Sequence, residues 1–294
     1  AFAFGVFGDA PYTFDEVERF NRLIEDVNAS QLRLFLHIGD IIGVPCSDEL
    51  LADRRATLGS LAAAVLYTPG DNEWADCGRE DSGGYESLER LEQIRRTYFS
   101  APRQSLGARP LPVETQSDSA GWSEFVENAR LRLGRFLFTT IHVVGSGNGA
   151  PRFGGDTARR LAEVQRRTAA ALHWIDAAFA EARRDSLHGI VIAMHADPGF
   201  NDSTWSWPAY RELVQRLVKQ SSDFTGQVLF IHGDSHVYRV DHPLRHAESK
   251  APLANFTRLE TYGSPSIGWV RVVIDSVAGR VLSYEPRLMP NHWW

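Results

Sequence analysis

Short apolar runs alternate with amphipathic stretches through the first seventy residues. Phe2 to Phe7 is an apolar run of strand length, and Thr13–Phe14–Asp15–Glu16 after it has the pattern of a helix capping box. Val17, Phe20, Ile24 and Val27 then recur at helical spacing. Leu32 to Ile38 predicts a second strand, ended by a turn at Gly39. Ser47 can cap a helix carrying Leu50, Leu51, Leu58 and Leu61, and Ala63 to Thr68 predicts a third strand, stopped by Pro69–Gly70. Strand, helix, strand, helix, strand is the order of a parallel sheet with covering helices.

The pattern weakens from Asp76 to about Gly121. A helix with Leu88, Leu91, Ile94 and Tyr98 leads into a Pro- and Arg-containing stretch, Pro102 to Pro112, which reads as a surface excursion over about 76–121. Glu124 to Leu133 and Arg135 to Val144 predict a hairpin turning at Gly134. A Gly-rich loop, Gly145 to Gly155, precedes a long helix capped near Asp156 or Thr157, with Leu161, Val164, Leu172, Ile175 and Phe179 on one face. Ile190 to Met194 and Gln227 to Ile231 predict strands, with a helix opening at Pro208 between them. Asn255 to Tyr284 predicts two or three more. The economical reading is one α/β domain, residues 1–294, with two sheets.

Composition adds limits. With 43% hydrophobic and 23% charged residues the chain has the ordinary mix of a globular enzyme. A net charge of −6 argues against a nucleic-acid-binding surface. No apolar run reaches the roughly 20 residues that span a bilayer. Cys46 and Cys77 each lie 6 residues past an aspartate (Asp40 and Asp71) after two expected strands. If those strands are neighbours the thiols can join as a disulfide; otherwise they are loop cysteines. The chain begins without Met, in a residue of a core strand. Together with a disulfide this points to a periplasmic or secreted protein, with a cytoplasmic one still open.

The chemistry lies at the strand ends. Gly8–Asp9, Gly39–Asp40 and Gly70–Asp71 close the first three strands, with the aspartates 31 residues apart in each case. Met194–His195 and Gly233–Asp234–Ser235–His236 close two later ones. In a parallel sheet such ends share one edge, where open α/β folds bind ligands. A lone strand-end aspartate is usually a cap or a turn residue. Several converging acids repel one another unless a cation sits between them, and a mixed Asp/His set suits Mn, Fe, Zn or Mg.

In order and placement these motifs resemble those of the calcineurin-like metallophosphoesterases, from Asp9 to His236. The family's Asp-x-His, Gly-Asp-x-x-Asp, Gly-Asn-His-Asp/Glu, lone His and Gly-His-x-His correspond here to Asp9–Ala10–Pro11, Gly39–Asp40–Ile41–Ile42–Gly43, Gly70–Asp71–Asn72–Glu73, His195 and Gly233–Asp234–Ser235–His236. The resemblance implies a four-layer α/β/β/α sandwich of two mixed sheets. It also implies two divalent metal ions, with Asp40 bridging them, Asp9 and His236 on the first, and Asp71, His195 and Asp234 on the second. Hydrolysis of a small phosphorylated substrate, a phosphomonoester or phosphodiester, by a metal-bound hydroxide would follow.

Several letters depart from the family. Pro11 replaces the first-motif histidine, and Tyr12 follows it; the related purple acid phosphatases use a tyrosine ligand from another motif. Asp71 and Asp234 replace an asparagine and a histidine. Four carboxylates against two dications leave a net charge of about zero where the family pattern leaves about +2. Mn or Mg is therefore expected over Zn, with Fe as a further option. Asn72 stands where the family has a histidine, so it can donate to phosphate but cannot act as an acid. His142, His37 and His232 are the candidate acids, His142 first, because it precedes the loop whose Asn148 is expected to contact substrate. Tyr12 is expected to contact substrate too.

Two rival readings remain. Gly233–Asp234–Ser235 matches the nucleophile block of GDSL-type serine esterases, although theirs is N-terminal and followed by Asp-x-x-His. A catalytically weak metal- and phosphate-binding protein on the same fold is the other. Trp205, Trp207, Trp293 and Trp294 read as packing, and the Asn28, Asn201 and Asn255 glycosylation patterns as chance. Gly145–Ser146–Gly147–Asn148–Gly149 lies too far before its helix to be a dinucleotide fingerprint.

Overall fold

The computed structural model describes residues 1–152, 156–200 and 208–290. Its elements begin β1 (Phe2–Phe7), α1 (Phe14–Ala29), β2 (Leu34–His37), α2 (Asp48–Ser60), β3 (Ala64–Tyr67) and α3 (Ser87–Tyr98). Then come β4 (Glu114–Thr115), β5 (Ala129–Leu133), β6 (Phe136–Thr140), α4 (Thr157–Arg184), β7 (Gly189–Ala193) and α5 (Arg211–Ser222). The chain closes with β8 (Gln227–His232), β9 (Arg239–Asp241), β10 (Phe256–Glu260), β11 (Gly268–Asp275) and β12 (Arg280–Leu288).

These strands make two mixed sheets. One runs β12-β11-β1-β2-β3, and the other β4-β5-β6-β7-β8-β10-β9. β1, β2 and β3 are mutually parallel, as are β6, β7, β8 and β10, while the outer strands pair antiparallel. Between the sheets Phe4, Leu36, Val270, Phe138, Val191 and Ile231 form a buried core, with the Phe4 and Phe138 rings edge to face at 4.9 Å. A second core packs α1, α2 and α3 on the outside of the first sheet, and a third packs α4 and α5 on the outside of the other. The order of layers is α/β/β/α, as expected.

Local departures have physical reasons. Thr13 precedes α1 without a side-chain cap; Glu16 instead accepts from the Tyr12 amide (2.7 Å) and from the Ser264 hydroxyl (2.6 Å), tying α1 to the loop before β11. The Gly145–Gly149 segment is a left-handed turn, with Ser146, Gly147 and Asn148 at φ 52°, 67° and 58°. Asp156 caps α4. In its first turns the long helix buries Arg160 and Arg167 and leaves Leu161 46% exposed, because both guanidiniums lie over the Trp74 ring and Arg167 also pairs with Glu163. The excursion after β3 is not all surface: Leu91, Ile94 and Tyr98 are buried, and Leu106 bridges back to Val65. Cys46 and Cys77 are joined as a disulfide, with Cα atoms 5.7 Å apart. Trp205, Trp207, Trp293, Trp294 and Asn201 lie outside the described residues.

Candidate metal centre

The parallel strands deliver their carboxyl ends to one rim. β1 leads to Asp9, β2 to Asp40 and β3 to Asp71 from one sheet; β7 leads to His195 and β8 to Asp234 and His236 from the other. Asp9, Asp40, Asp234 and His236 sit at φ 55°, 52°, 72° and 62°, a left-handed conformation that L side chains adopt at a cost of about 1–3 kcal/mol. The glycines of the Gly-Asp pairs allow the closeness. A β-carbon on Gly70 would overlap Asp40 Oδ1, and one on Gly233 would overlap Asp9 Oδ2.

His195 is the hub. Its Nδ1 lies 2.9 Å from the Ile38 carbonyl, a contact that places the proton on Nδ1 and aims the Nε2 lone pair inward. Nε2 lies 3.0 Å from Asp71 Oδ1, 3.5 Å from Asp40 Oδ1 and 3.8 Å from Asp234 Oδ1, and the ring's Nδ1 is 3.8 Å from Asp9 Oδ1. Two groups of ligand atoms are close enough to share a cation: Asp9, Asp40 and His195, and Asp71, His195 and Asp234. His195 Nε2 borders both positions, and its one lone pair can serve only one ion at a time. His236 lies beside the first group. Its Nδ1 lies 2.7 Å from the Ser264 carbonyl, and its Nε2 is 3.6 Å from Asp9 Oδ1.

The donor set suits a cation. Asp9 Oδ2, Asp71 Oδ1 and His195 Nε2 are buried without a hydrogen-bond partner among the described residues. Burial, together with the charges of Asp234 and Asp71, pushes the Asp9 carboxyl up to about 8. Burial and Asp71 push Asp234 up to about 6, and burial holds Asp40 well above the usual range. Burial works the same way on Asp71, but His195 and the Ser146 hydroxyl outweigh it and keep that carboxyl low. For His195 burial is outweighed by Asp40, Asp71 and Asp9, which raise its pKa well above the ordinary value, so that a cation would take the place of a proton on Nε2. A cluster so short of positive charge is one that divalent ions relieve.

Tyr12 stands closer in than expected. Its hydroxyl donates to Asp40 Oδ2 at 2.8 Å and lies 3.3 Å from His236 Nε2 and 3.5 Å from Asp9 Oδ1. Burial, and then Asp40, raise its phenol well above the ordinary value. Asn72 holds Asp40 through its backbone amide (3.0 Å), while its side chain donates to the Ile42 carbonyl at 3.3 Å.

His142 and Asn148 are placed differently from the expectation. The His142 ring is fully buried against Glu127 (Nδ1 to Oε1 2.8 Å) and the edge of Trp74. Burial, outweighing Glu127, holds it below its ordinary pKa, so it is neutral and suited to support, not to proton donation. Asn148 has its side chain spent on Arg167, Thr168 and the Val144 amide, which fix the left-handed turn. The residue of that turn that does reach the centre is Ser146, whose hydroxyl donates to Asp71 Oδ2 (3.1 Å) and Asp76 Oδ2 (2.9 Å). His37 is buried with Nδ1 accepting from the Gly39 amide, and His232 is buried beside Phe230; burial lowers them to about 3 and about 4. Ser235 donates to the buried Glu260, not to a histidine, which removes the nucleophile arrangement of the serine-esterase reading.

No protein-family model matches the sequence, and no curated protein matches it. Solved structures do resemble it. PhoD is 12% identical over 94% of this chain, with a TM-score of 0.58, and GAP50, the anchor in the inner membrane complex of Plasmodium, is 10% identical over 99%, with a TM-score of 0.51 and 89% of its own length matched. The 5'-nucleotidase from Candida albicans is 13% identical over 98% of this chain, with a TM-score of 0.50. The chain spans 64% of PhoD and 50% of the nucleotidase. At these identities what is shared is architecture: the chain has the calcineurin-like metallophosphoesterase fold.

Proposed function

We propose that the protein is a metal-dependent hydrolase of phosphate esters. One observation carries this reading: oxygens of four aspartates from two sheets lie within 3.8 Å of a ring nitrogen of His195. Asp9, Asp40 and His236 would hold one divalent ion, with the Tyr12 oxygen beside it, and Asp40, Asp71, His195 and Asp234 the other. Such ions, when bound, supply Lewis acidity toward a phosphoryl oxygen and an attacking water. The chain's own part is to place the acids, exclude bulk water behind them and present Tyr12 as a donor. Four carboxylates favour Mn or Mg over Zn. The substrate is a small phosphorylated molecule, and the Cys46–Cys77 bridge supports a periplasmic or extracellular site of action. No helix among the described residues is long and apolar enough to cross a membrane.

The test is to strip the protein with a chelator, measure its metal content, and assay nitrophenyl phosphate mono- and diesters before and after Mn, Mg or Zn is restored. Hydrolysis should vanish on stripping and return best with Mn or Mg. Turnover indifferent to the chelator would end this reading. A second reading, a metal- and phosphate-binding protein with little turnover, is favoured by the absence of a side-chain acid among Asn72, His142, His37 and His232 as they are placed. Bound metal without turnover of any activated ester would select it.

A further inference from the structure

A groove of about 460 Å³ opens directly beside the centre, between the start of α1 and the loop after β2. Its walls are apolar at Pro11, Phe14, Val44 and Pro45 and charged at Glu49, Asp53 and Arg54. Tyr12 belongs to both places: it lines the groove, and its hydroxyl donates to Asp40. Phe14 is 91% exposed and Val44 51%, so two apolar side chains stand uncovered within a few residues of a ligand-bearing strand end. A larger groove, about 890 Å³, shares Phe14 and Val17 and runs on to Leu288 and Met289, but no residue of the centre lines it.

Charge gives the groove a reason. With four carboxylates around two dications the centre carries a formal charge of about zero and draws a phosphate dianion weakly. Affinity must then come from the rest of the substrate, and apolar area next to the phosphoryl position supplies it. We propose that this groove seats an apolar, aryl-sized ester group, so that the preferred substrates are phosphate esters bearing such a group, diester monoanions above monoester dianions. This rests on the hydrolase reading and names its substrate class.

Binding of unreactive ligands separates the two. The Mn-loaded protein would be titrated calorimetrically with the monomethyl esters of naphthylmethylphosphonate and of methylphosphonate, both monoanions. The aryl ligand should bind at least about tenfold tighter. V44D should remove that preference by lowering the aryl ligand's affinity more than the methyl ligand's. L288D, in the larger groove, should leave the preference intact. Equal affinities, no detectable binding of either ligand, or a preference that survives V44D overturns the proposal. Aryl preference without hydrolysis of any nitrophenyl ester keeps the groove and removes the hydrolase.

Discussion

Asp71 and Asp234 set the charge of the centre, because they are the two acids standing where the related pattern has neutral ligands. With two divalent ions bound, substituting both, D71N with D234H, would move the formal charge from about zero to about +2. The expected outcome is a KM for a monoester dianion lower by about tenfold and a shift in selectivity toward Zn, read from steady-state kinetics and metal titration. Ser146 is the second residue to test. S146A removes the donor to Asp71 and Asp76, and the loss of such support to a ligand costs on the order of 10- to 100-fold in metal affinity. Asp9, Asp40 and Asp71 were legible in the sequence because each follows a glycine at a strand end at a repeated spacing of 31, and Asp234 because it follows Gly233 at a later strand end. Ser146 was not, because its reach depends on three consecutive left-handed residues, a path that a Gly-rich string permits without specifying. The same turn spends Asn148 on Arg167, so the loop was located and its working residue was not.

The β1-α1-β2-α2-β3 run was readable because its apolar periods switch cleanly between strand and helix. β4 and β9 were not: they have two and three residues, are mostly polar, and exist only through pairing with β5 and β10. The apolar face expected of α4 fails at its start because Trp74, far back in the chain, offers a surface that Arg160 and Arg167 cover. The disulfide acts between elements. It joins the loops after β2 and β3, 31 residues apart, and so ties the segments that carry Asp40 and Asp71. C46A with C77A should cost about 3–4 kcal/mol of stability in denaturant melts. Metal affinity should fall with it, and an unchanged midpoint would show that the bridge is dispensable.

Which strands share a sheet is a property of the whole molecule, fixed by contacts between distant segments; the hairpin of β5 and β6 was read from local pattern, but the partners of β8, β10 and β11 were not. The buried Arg95–Glu127–His142 chain is of this kind, linking α3 to the hairpin of β5 and β6. Burial pushes Glu127 up, but Arg95 and His142 outweigh it and hold it below its ordinary 4.5; burial holds His142 below its ordinary 6.5. Both signs agree. As pH falls below about 6.5 the unfolded chain takes up a proton that folded His142 refuses, and below about 4.5 another that Glu127 refuses, so stability is lost on acidification. The slope should be about 1.4 kcal/mol per pH unit for each such proton, and H142Q should flatten the segment between the two, measured as the thermal midpoint against pH.

Asp9, Asp40 and Asp71 come from one sheet, and His195, Asp234 and His236 from the other. Ions lodged among them would rivet the two halves of the sandwich at one end, while the opposite end is held by packing and by the Val281 amide, which donates to Gln227 Oε1 across the sheets. Chelation should therefore unfasten the molecule asymmetrically. Amide protons near the rivet should exchange faster in both sheets at once, and those at the far mouth of the sandwich should keep their pace.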